Sequence, residues 1–116
     1  MTSALRKFIE EKVPKEGLAA WGAELSDHTF ASHCYSTWFT PTQVEKTVKR
    51  LAIAAQSLAQ HQIVPLRLCW RFEHARVLLA LRDDGQCLTF FVENRSSLSQ
   101  EALERALDEF LAQPLG

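Results

Sequence analysis

The chain has little of what most catalytic and nucleic-acid-binding proteins display. Its four glycines are spread along 116 residues, so no glycine-rich loop is available to cradle a phosphate. Its formal net charge is −1, whereas a nucleic-acid binder normally carries an excess of lysine and arginine. No apolar run approaches the ~20 residues that a membrane-spanning helix requires. These absences argue against a nucleotide-dependent enzyme, a nucleic-acid binder and a membrane-spanning protein.

Cysteine is also scarce, and its arrangement predicts neither disulfides nor a metal site. Cys34, Cys69 and Cys87 are an odd number and include no CxxC pair. All three fall in stretches with the pattern of strands, where we expect them to be small core hydrophobes. The N-terminal residues lack the apolar stretch of a signal peptide. Together these features favour a reducing cytoplasm.

The titratable residues form no recognisable catalytic or metal-binding motif. The histidines are His28, His33, His61 and His74. Their spacings are not those of zinc ligands. Cys34 cannot pair with His33, because neighbours on a strand point to opposite faces. Asp83 and Asp84 precede Gly85, where carboxylates favour turn hydrogen bonds over acid–base chemistry. We therefore predict no catalytic residue, no metal and no cofactor, and hence a protein that is not an enzyme.

What the sequence does contain is a regular succession of helical and strand patterns. Hydrophobic residues make up 47% and charged residues 23%, which suits a single globular domain over residues 1–116. Apolar residues recur at helical spacing in Thr2–Val13, in Pro41–Gln60 and from Gln100 to a stop at Pro114. Thr40 is a good N-cap for the long helix, with proline in its first turn and glutamine completing a capping box.

Five further segments have the pattern of strands. Two lie between Leu18 and Ser36 and are joined by a tight turn at Asp27-His28, and Gly22 in the first indicates a bulge or a close approach by the element above. The others are Val64–Phe72, Ala75–Arg82 and Cys87–Glu93. Pro65 suits an edge strand, whereas Cys87–Glu93 is apolar on both faces and should lie centrally. Helices must then cover both faces of the sheet. We predict a three-layer α/β (α+β) fold with a five-stranded antiparallel sheet, in the order helix-strand-strand-helix-strand-strand-strand-helix.

The long helix is more apolar than one-sided packing requires. A predicted core stripe runs through Val44, Val48, Leu51, Ala55 and Leu58. A second stripe of Ile53, Ala54 and Ser57 implies a second buried face, which we interpret as a subunit interface. Basic residues in its first half are either a solvated face or a docking surface for an acidic partner. Before the cap, Trp38 and Phe39 are either a hydrophobic staple against the helix or, if Trp38 is exposed, part of an interface.

With this element order the chain resembles the roadblock and dynein light-chain domain family, in its bacterial type, whose architecture is profilin-like. The resemblance extends from Leu5 to Leu111. The segments that resemble the family are Gly22–Asp27 running into residues 30–32, the small-residue helix Pro41–Gln60, and Ala75–Leu81 ahead of the glycine turn. One departure lies in the first hairpin turn, where the family often has glycine and this chain has His28-Thr29.

The resemblance implies a symmetric homodimer that serves as a protein-binding module. In such dimers the long helices pair and the edge strands, here Val64–Phe72, join into one sheet. The interface residues that follow are Leu51, Ile53, Ala54, Ser57, Arg67, Cys69 and Arg71. The family binds and regulates Ras-like small GTPases, or serves as an adaptor in motor and signalling assemblies. A docking platform for the GTPase would include Lys46, Lys49 and Arg50.

Two other functions fit the element pattern. A secretion-type chaperone that binds an unfolded effector segment is also a small dimeric α/β protein, but such chaperones are typically acidic and this chain is only slightly so. A small-molecule sensory domain would cup a ligand against the sheet. Bulky Trp21, Phe30, Phe90 and Phe91 argue that the core is filled instead.

Overall fold

The computed structural model describes residues 3–25, 27–60, 67–82 and 84–112. The elements follow the chain as α1 (Ser3–Lys12), β1 (Ala20–Glu24), β2 (Phe30–Cys34), α2 (Pro41–Gln60), β3 (Arg67–Arg71), β4 (Ala75–Leu81), β5 (Cys87–Glu93) and α3 (Gln100–Ala112). This order confirms the predicted succession of helices and strands. The predictions for Thr2, His61, residues 64–66, Asp83 and Pro114 lie outside the described residues.

The strands form one antiparallel sheet in the order β2-β1-β5-β4-β3. β5 lies at its centre, which confirms the position expected for a strand that is apolar on both faces. β3, the described part of the predicted Val64–Phe72 strand, lies at one edge as predicted. β2 lies at the other. The sheet therefore offers two edges, one from each half of the chain.

Each face of the sheet is covered by helices, so the molecule has the three predicted layers. On one face, Leu5 and Phe8 of α1 and Phe110 of α3 share an apolar core with Trp21 and Phe90 of the sheet. On the other, α2 packs against β1 and β2 and contributes a core of its own. That core contains Val44, Val48, Ala52, Val77 and Phe91. The chain thus builds two apolar cores on one sheet.

Gly22 in β1 lets α2 lie close to the sheet. A Cβ atom at this position would lie 2.9 Å from Phe30 Cζ and 3.0 Å from a methyl carbon of each of Val44 and Val48. The pairing of β1 with both of its neighbours is regular through this residue. The glycine therefore permits a close approach of the helix, and the alternative of a bulge is wrong.

The β1–β2 turn places His28 in the left-handed region, with φ 68°. The Leu25 amide donates to the Thr29 carbonyl oxygen at 2.9 Å, which closes the hairpin. The Asp27 carboxylate accepts hydrogen bonds from the Thr29 hydroxyl at 2.6 Å and from its amide at 3.1 Å. The hydroxyl, and then the amide, lower the pKa of Asp27 below its usual value. A left-handed residue here explains why glycine suits this turn in the family that the sequence resembles.

Side-chain caps begin both long helices. The Gln43 amide donates to Thr40 Oγ1 at 3.2 Å and the Thr40 amide donates to Gln43 Oε1 at 3.0 Å, the predicted capping box of α2. The Ala102 amide donates to Ser99 Oγ at 3.0 Å at the start of α3. Ahead of α2, Phe39 packs on the core, with its ring centroid 5.2 Å from that of Phe91. Of the two residues, Phe39 therefore packs on the core beside the start of α2, and Trp38 is exposed, as the interface alternative requires.

Candidate protein-interaction surface

The buried side of α2 differs in part from the predicted core stripe. Val44, Val48, Ala52 and Ala55 are buried, whereas Leu51 is only half-buried and Leu58 is 37% exposed. Ala52 takes the place that the prediction gave to Leu51. The helix thus turns two valines and two alanines towards the sheet, and Gly22 lies beneath the two valines.

This rotation leaves a line of apolar and small residues along the flank of α2. Thr47, Leu51, Ala54 and Leu58 follow one another at alternating spacings of four, three and four residues. That spacing is typical of a helix whose stripe packs against another helix. Thr47 and Leu51 are half-buried, and Ala54 and Leu58 are exposed. We call these four residues the α2 stripe.

The predicted interface residues on α2 therefore lie on two surfaces. Leu51 and Ala54 belong to the α2 stripe. Ile53 is 66% exposed and lies about half a turn around the helix from Val44, so it points away from the sheet. Ser57 is exposed and lies next to Ile53 on this outward side.

The outward side of α2 also carries the predicted docking residues. Lys46, Lys49 and Arg50 are all exposed. Lys49 Nζ lies 3.6 Å from Glu45 Oε2, an exposed i,i+4 pair that contributes little to stability. These basic residues lie within the two turns before Ile53 on the same side of the helix, so the outward side combines positive charge with one large exposed apolar side chain.

β3 presents different groups to its edge and to its two faces. Phe72 donates its amide to the Ala75 carbonyl oxygen at 2.8 Å, which fixes the alternation of hydrogen-bonded pairs along the strand. The backbone groups of Arg67, Cys69 and Arg71 accordingly point away from β4 towards the free edge. The predicted edge residues thus offer backbone donors and acceptors to whatever pairs there.

The side chains of those three residues lie on the α3 face of the sheet. Arg67 Nε lies 3.1 Å from Asp108 Oδ1, and the Cys69 thiol accepts a hydrogen bond from Gln100 Nε2 at 3.8 Å. They do not share a face with α2. The alternating apolar residues of the strand, Leu68, Trp70 and Phe72, lie on the α2 face. Trp70 pairs with Val77, which belongs to the core under α2.

Leu68, Trp70 and Phe72 form an apolar surface that the predicted interface residues did not include. Leu68 and Trp70 are only half-buried and Phe72 is 51% exposed. Trp38 lies near the Phe72 end of β3, where its ring centroid is 5.8 Å from that of His74. Its side chain is 49% exposed. The strict alternation along β3 identified the apolar face, but it could not tell whether the domain itself covers that face.

The described residues offer little for catalysis. Within them, no group of three or more histidines, cysteines or acidic residues is placed to hold a metal ion. The imidazoles of His28 and His74 lie near the carboxylates of Glu24 and Glu73, each at 3.7 Å. Asp84 accepts hydrogen bonds from the Gln86 amide and from Arg82 Nε, which fits the predicted turn role.

The cysteines are free and only one of them fits the predicted core role. Cys87 is buried, and burial, followed by the nearby charge of Glu24, raises the pKa of its thiol to about 11. Cys34 is half-buried, and burial also raises the pKa of its thiol. Cys69 is exposed, so the prediction of a core cysteine there is wrong. β3 lies at the sheet edge, where α3 contacts Cys69 through Gln100 without burying it.

The sheet core is filled, as the sequence predicted from its aromatic residues. Trp21, Phe90 and Phe91 are buried, and Phe30 is half-buried against the second core. Among the described residues, no helix combines the length and apolarity needed to cross a membrane.

No family model matches the sequence, and no curated protein is significantly similar to it. Solved structures share its fold at low identity. Myxococcus xanthus MglB is 12% identical, with a TM-score of 0.63 over 91% of this chain and 87% of that one. A structure described as MglB with tetrameric arrangement is 12% identical, with a TM-score of 0.65 over 97% and 90%. A Roadblock/LC7 domain from Streptomyces avermitilis is 11% identical, with a TM-score of 0.57 over 93% and 94%. The chain therefore has a roadblock/LC7-type fold.

Proposed function

We propose that this chain is a non-catalytic, homodimeric protein-binding module of the cytoplasm that regulates or scaffolds a Ras-like small GTPase. The observation that carries the proposal is a partly exposed apolar surface beside β3, whose outer edge has no partner among the described strands. The α2 stripe and the apolar set Leu68, Trp70 and Phe72 lie on the same side of the sheet, and β3 has no described strand on its outer edge. A second copy can cover both.

Pairing of two β3 edges accounts for the backbone groups that point outwards. Antiparallel pairing about a two-fold axis at Cys69 places this residue opposite its own copy in a hydrogen-bonded pair, with Cα atoms ~5.5 Å apart. Such a pair continues the sheet into the second copy. It brings the two sets of half-covered apolar side chains together, and each α2 stripe then meets the other across the axis.

A shared fold supports the assignment of partner class. The family that the sequence resembles binds and regulates Ras-like small GTPases or serves as an adaptor, and one structural neighbour is described as tetrameric. On this chain the outward side of α2 is the platform that remains accessible after dimerisation. Lys46, Lys49 and Arg50 suit an acidic partner surface there, with Ile53 as an adjacent apolar contact.

Sedimentation analysis tests the dimer. The wild-type chain should sediment as a dimer at micromolar concentration, and Ala54→Glu should give a folded monomer, because it places a charge in the α2 stripe. Gln56→Glu is the matched control, since it adds the same charge on another side of the same helix and should leave the dimer intact. A wild-type chain that stays monomeric at all concentrations would refute the proposal.

Oxidative cross-linking tests the register. Two thiols on one face of a hydrogen-bonded antiparallel pair lie within the Cα separation that a disulfide tolerates. Mild oxidation should therefore yield a covalent dimer of the wild type and of Gln56→Glu, but not of Cys69→Ser or Ala54→Glu. Cross-linking that persists in Cys69→Ser would place the interface elsewhere.

Affinity purification from the source cell tests the partner class. We expect capture of a Ras-like small GTPase by the wild type and its loss in a Lys46→Glu/Arg50→Glu variant that remains dimeric. Capture of an unstructured effector segment instead would support a secretion-type chaperone and contradict the GTPase assignment.

A further inference from the structure

A groove of about 670 Å³ opens between α1 and β2, at the sheet edge opposite to β3. Arg6 and Glu10 of α1 form one wall, and Ala31 and His33 of β2 form the other. Trp21 of the neighbouring strand also lines it. The groove is therefore a second surface, separate from the proposed dimer interface.

The edge of β2 along this groove has free backbone groups. The Leu25 amide donates to the Thr29 carbonyl oxygen, so the hydrogen-bonded pairs between β1 and β2 include Ala23–Ala31 and Trp21–His33. The amides and carbonyls of Phe30, Ser32 and Cys34 consequently point away from β1. Among the described strands, none pairs with this side of β2.

A buried donor in the groove wall has no acceptor. Trp21 is only 6% exposed, and within the described part of the chain its indole Nε1 has no hydrogen-bond partner. Buried indole N–H groups are normally satisfied. An acceptor brought by a ligand in the groove would remove this deficit.

Charge and polarity differ on the two sides of the β2 edge. On the groove side, Arg6 and Lys15 outnumber Glu10, and His33 lies beside them. Lys15 is held in place, because its ammonium donates to the Ile9 and Glu10 carbonyl oxygens at 2.7 and 2.9 Å. On the opposite side of the sheet β2 presents Phe30, Ser32 and Cys34, of which Phe30 and Cys34 pack on the second core. The edge thus has one basic side and one apolar side.

We propose that the β2 edge binds an extended, acidic segment of a partner protein, which adds to the sheet as a further strand. Since alternate residues of a strand face opposite sides, the segment that fits alternates acidic with apolar residues. Its acidic side chains lie in the groove towards Arg6 and supply an acceptor for Trp21 Nε1, while its apolar side chains extend the surface around Phe30. The site lies at the opposite edge from β3, so it is independent of the proposed GTPase function.

A blocked, fluorescein-labelled peptide that alternates glutamate with valine is the probe. Fluorescence polarisation should show saturable binding to the full chain, at least about tenfold tighter than to a matched peptide that alternates lysine with valine. Saturation should also slow amide exchange of Ser32 and Cys34 about tenfold or more, while Ala31 and His33, already bonded to β1, stay unchanged. No binding, or equal binding of both peptides, would overturn the proposal.

Two variants test the edge directly. Ser32→Pro removes an outward amide that the fold does not use, and edge strands tolerate proline there, so it should weaken binding about tenfold or more. Ser32→Ala keeps the amide and should bind like the wild type. Arg6→Glu, on the exposed side of α1, should reverse the preference between the two peptides whether or not Ser32→Pro folds. Equal binding of the peptide by Ser32→Pro and Ser32→Ala would refute strand addition. Self-association of the wild type that Ser32→Pro abolishes would also refute the proposal, because the strand added at this edge would then come from a second copy of the chain.

Discussion

Replacement of Gly22 by alanine should destabilise the domain through one added methyl group. The new Cβ would lie 2.9 Å from Phe30 Cζ and 3.0 Å from Val44 Cγ1 and Val48 Cγ2. Phe30 is half-buried and can move, but both valines are fully buried on α2, so the helix itself must shift. Overpacking of this kind costs about 1–3 kcal/mol. The lower entropy of the unfolded chain offsets about 0.4–1 kcal/mol of that cost. A net loss of about 1–2 kcal/mol remains.

Urea unfolding at one fixed protein concentration measures this loss. With a typical slope of about 1–3 kcal/mol/M, the midpoint should fall by about 1 M. Val48→Ala removes one of the methyl groups that the new Cβ meets, so the double variant should be about 1 kcal/mol more stable than additivity predicts. Gly85→Ala is the control: its φ of 89° strains the backbone, yet no atom lies within 4 Å, so it should show no coupling to Val48→Ala. A Gly22→Ala domain as stable as the wild type would refute the close approach of α2.

Three further predictions concern the Cys87 thiol, the cap of α2 and the buried Arg76. Folding raises the pKa of the Cys87 thiol from 9.0 to about 11 and so favours the neutral thiol. The corresponding contribution to folding stability is complete below pH 9 and is lost as the pH rises towards 11. The difference in unfolding free energy between wild type and Cys87→Ala should therefore shrink by about 2–3 kcal/mol across that range, and a constant difference would contradict the shift. Thr40→Ala removes the cap of α2 and should cost about 1 kcal/mol in urea unfolding, whereas exposed Thr42→Ala should cost little; equal losses would argue against the cap. Arg76 is buried and donates to Gln100 Oε1 at 2.9 Å and to the Leu98 carbonyl oxygen at 3.0 Å, so Arg76→Met should cost about 2 kcal/mol and exposed Arg95→Met almost nothing by thermal unfolding.

Features governed by neighbours in sequence were predictable. The capping box of α2 depends on residues three positions apart, and the central place of β5 follows from its two apolar faces. The close approach at Gly22 was one of two alternatives that a glycine in a strand indicates. Each of these rests on local geometry, which the order of residues determines almost completely.

Features governed by contacts distant in sequence were not predictable. Leu51 and Ala52 are both compatible with a helical core stripe, and only the sheet beneath α2 decides that Ala52 is buried. Likewise, alternation along β3 separates Arg67 from Leu68 but does not say which set α3 will meet. In the fold it is Arg67 that meets α3, with its Nε 3.1 Å from Asp108 Oδ1. The α2 stripe could be located only once this rotation was known.

The two sheet edges that lack a partner among the described strands have a consequence for assembly beyond the dimer. A two-fold contact at one edge closes on itself, but two-fold contacts at both edges of the same sheet would join copies into an open filament. β2 carries exposed His33 on the groove side of its edge, with Arg6 lining the same groove. Polar, charged edges of this kind limit edge-to-edge growth. A substitution that lengthened β2 or made it more apolar would therefore convert a finite assembly into a fibrous one.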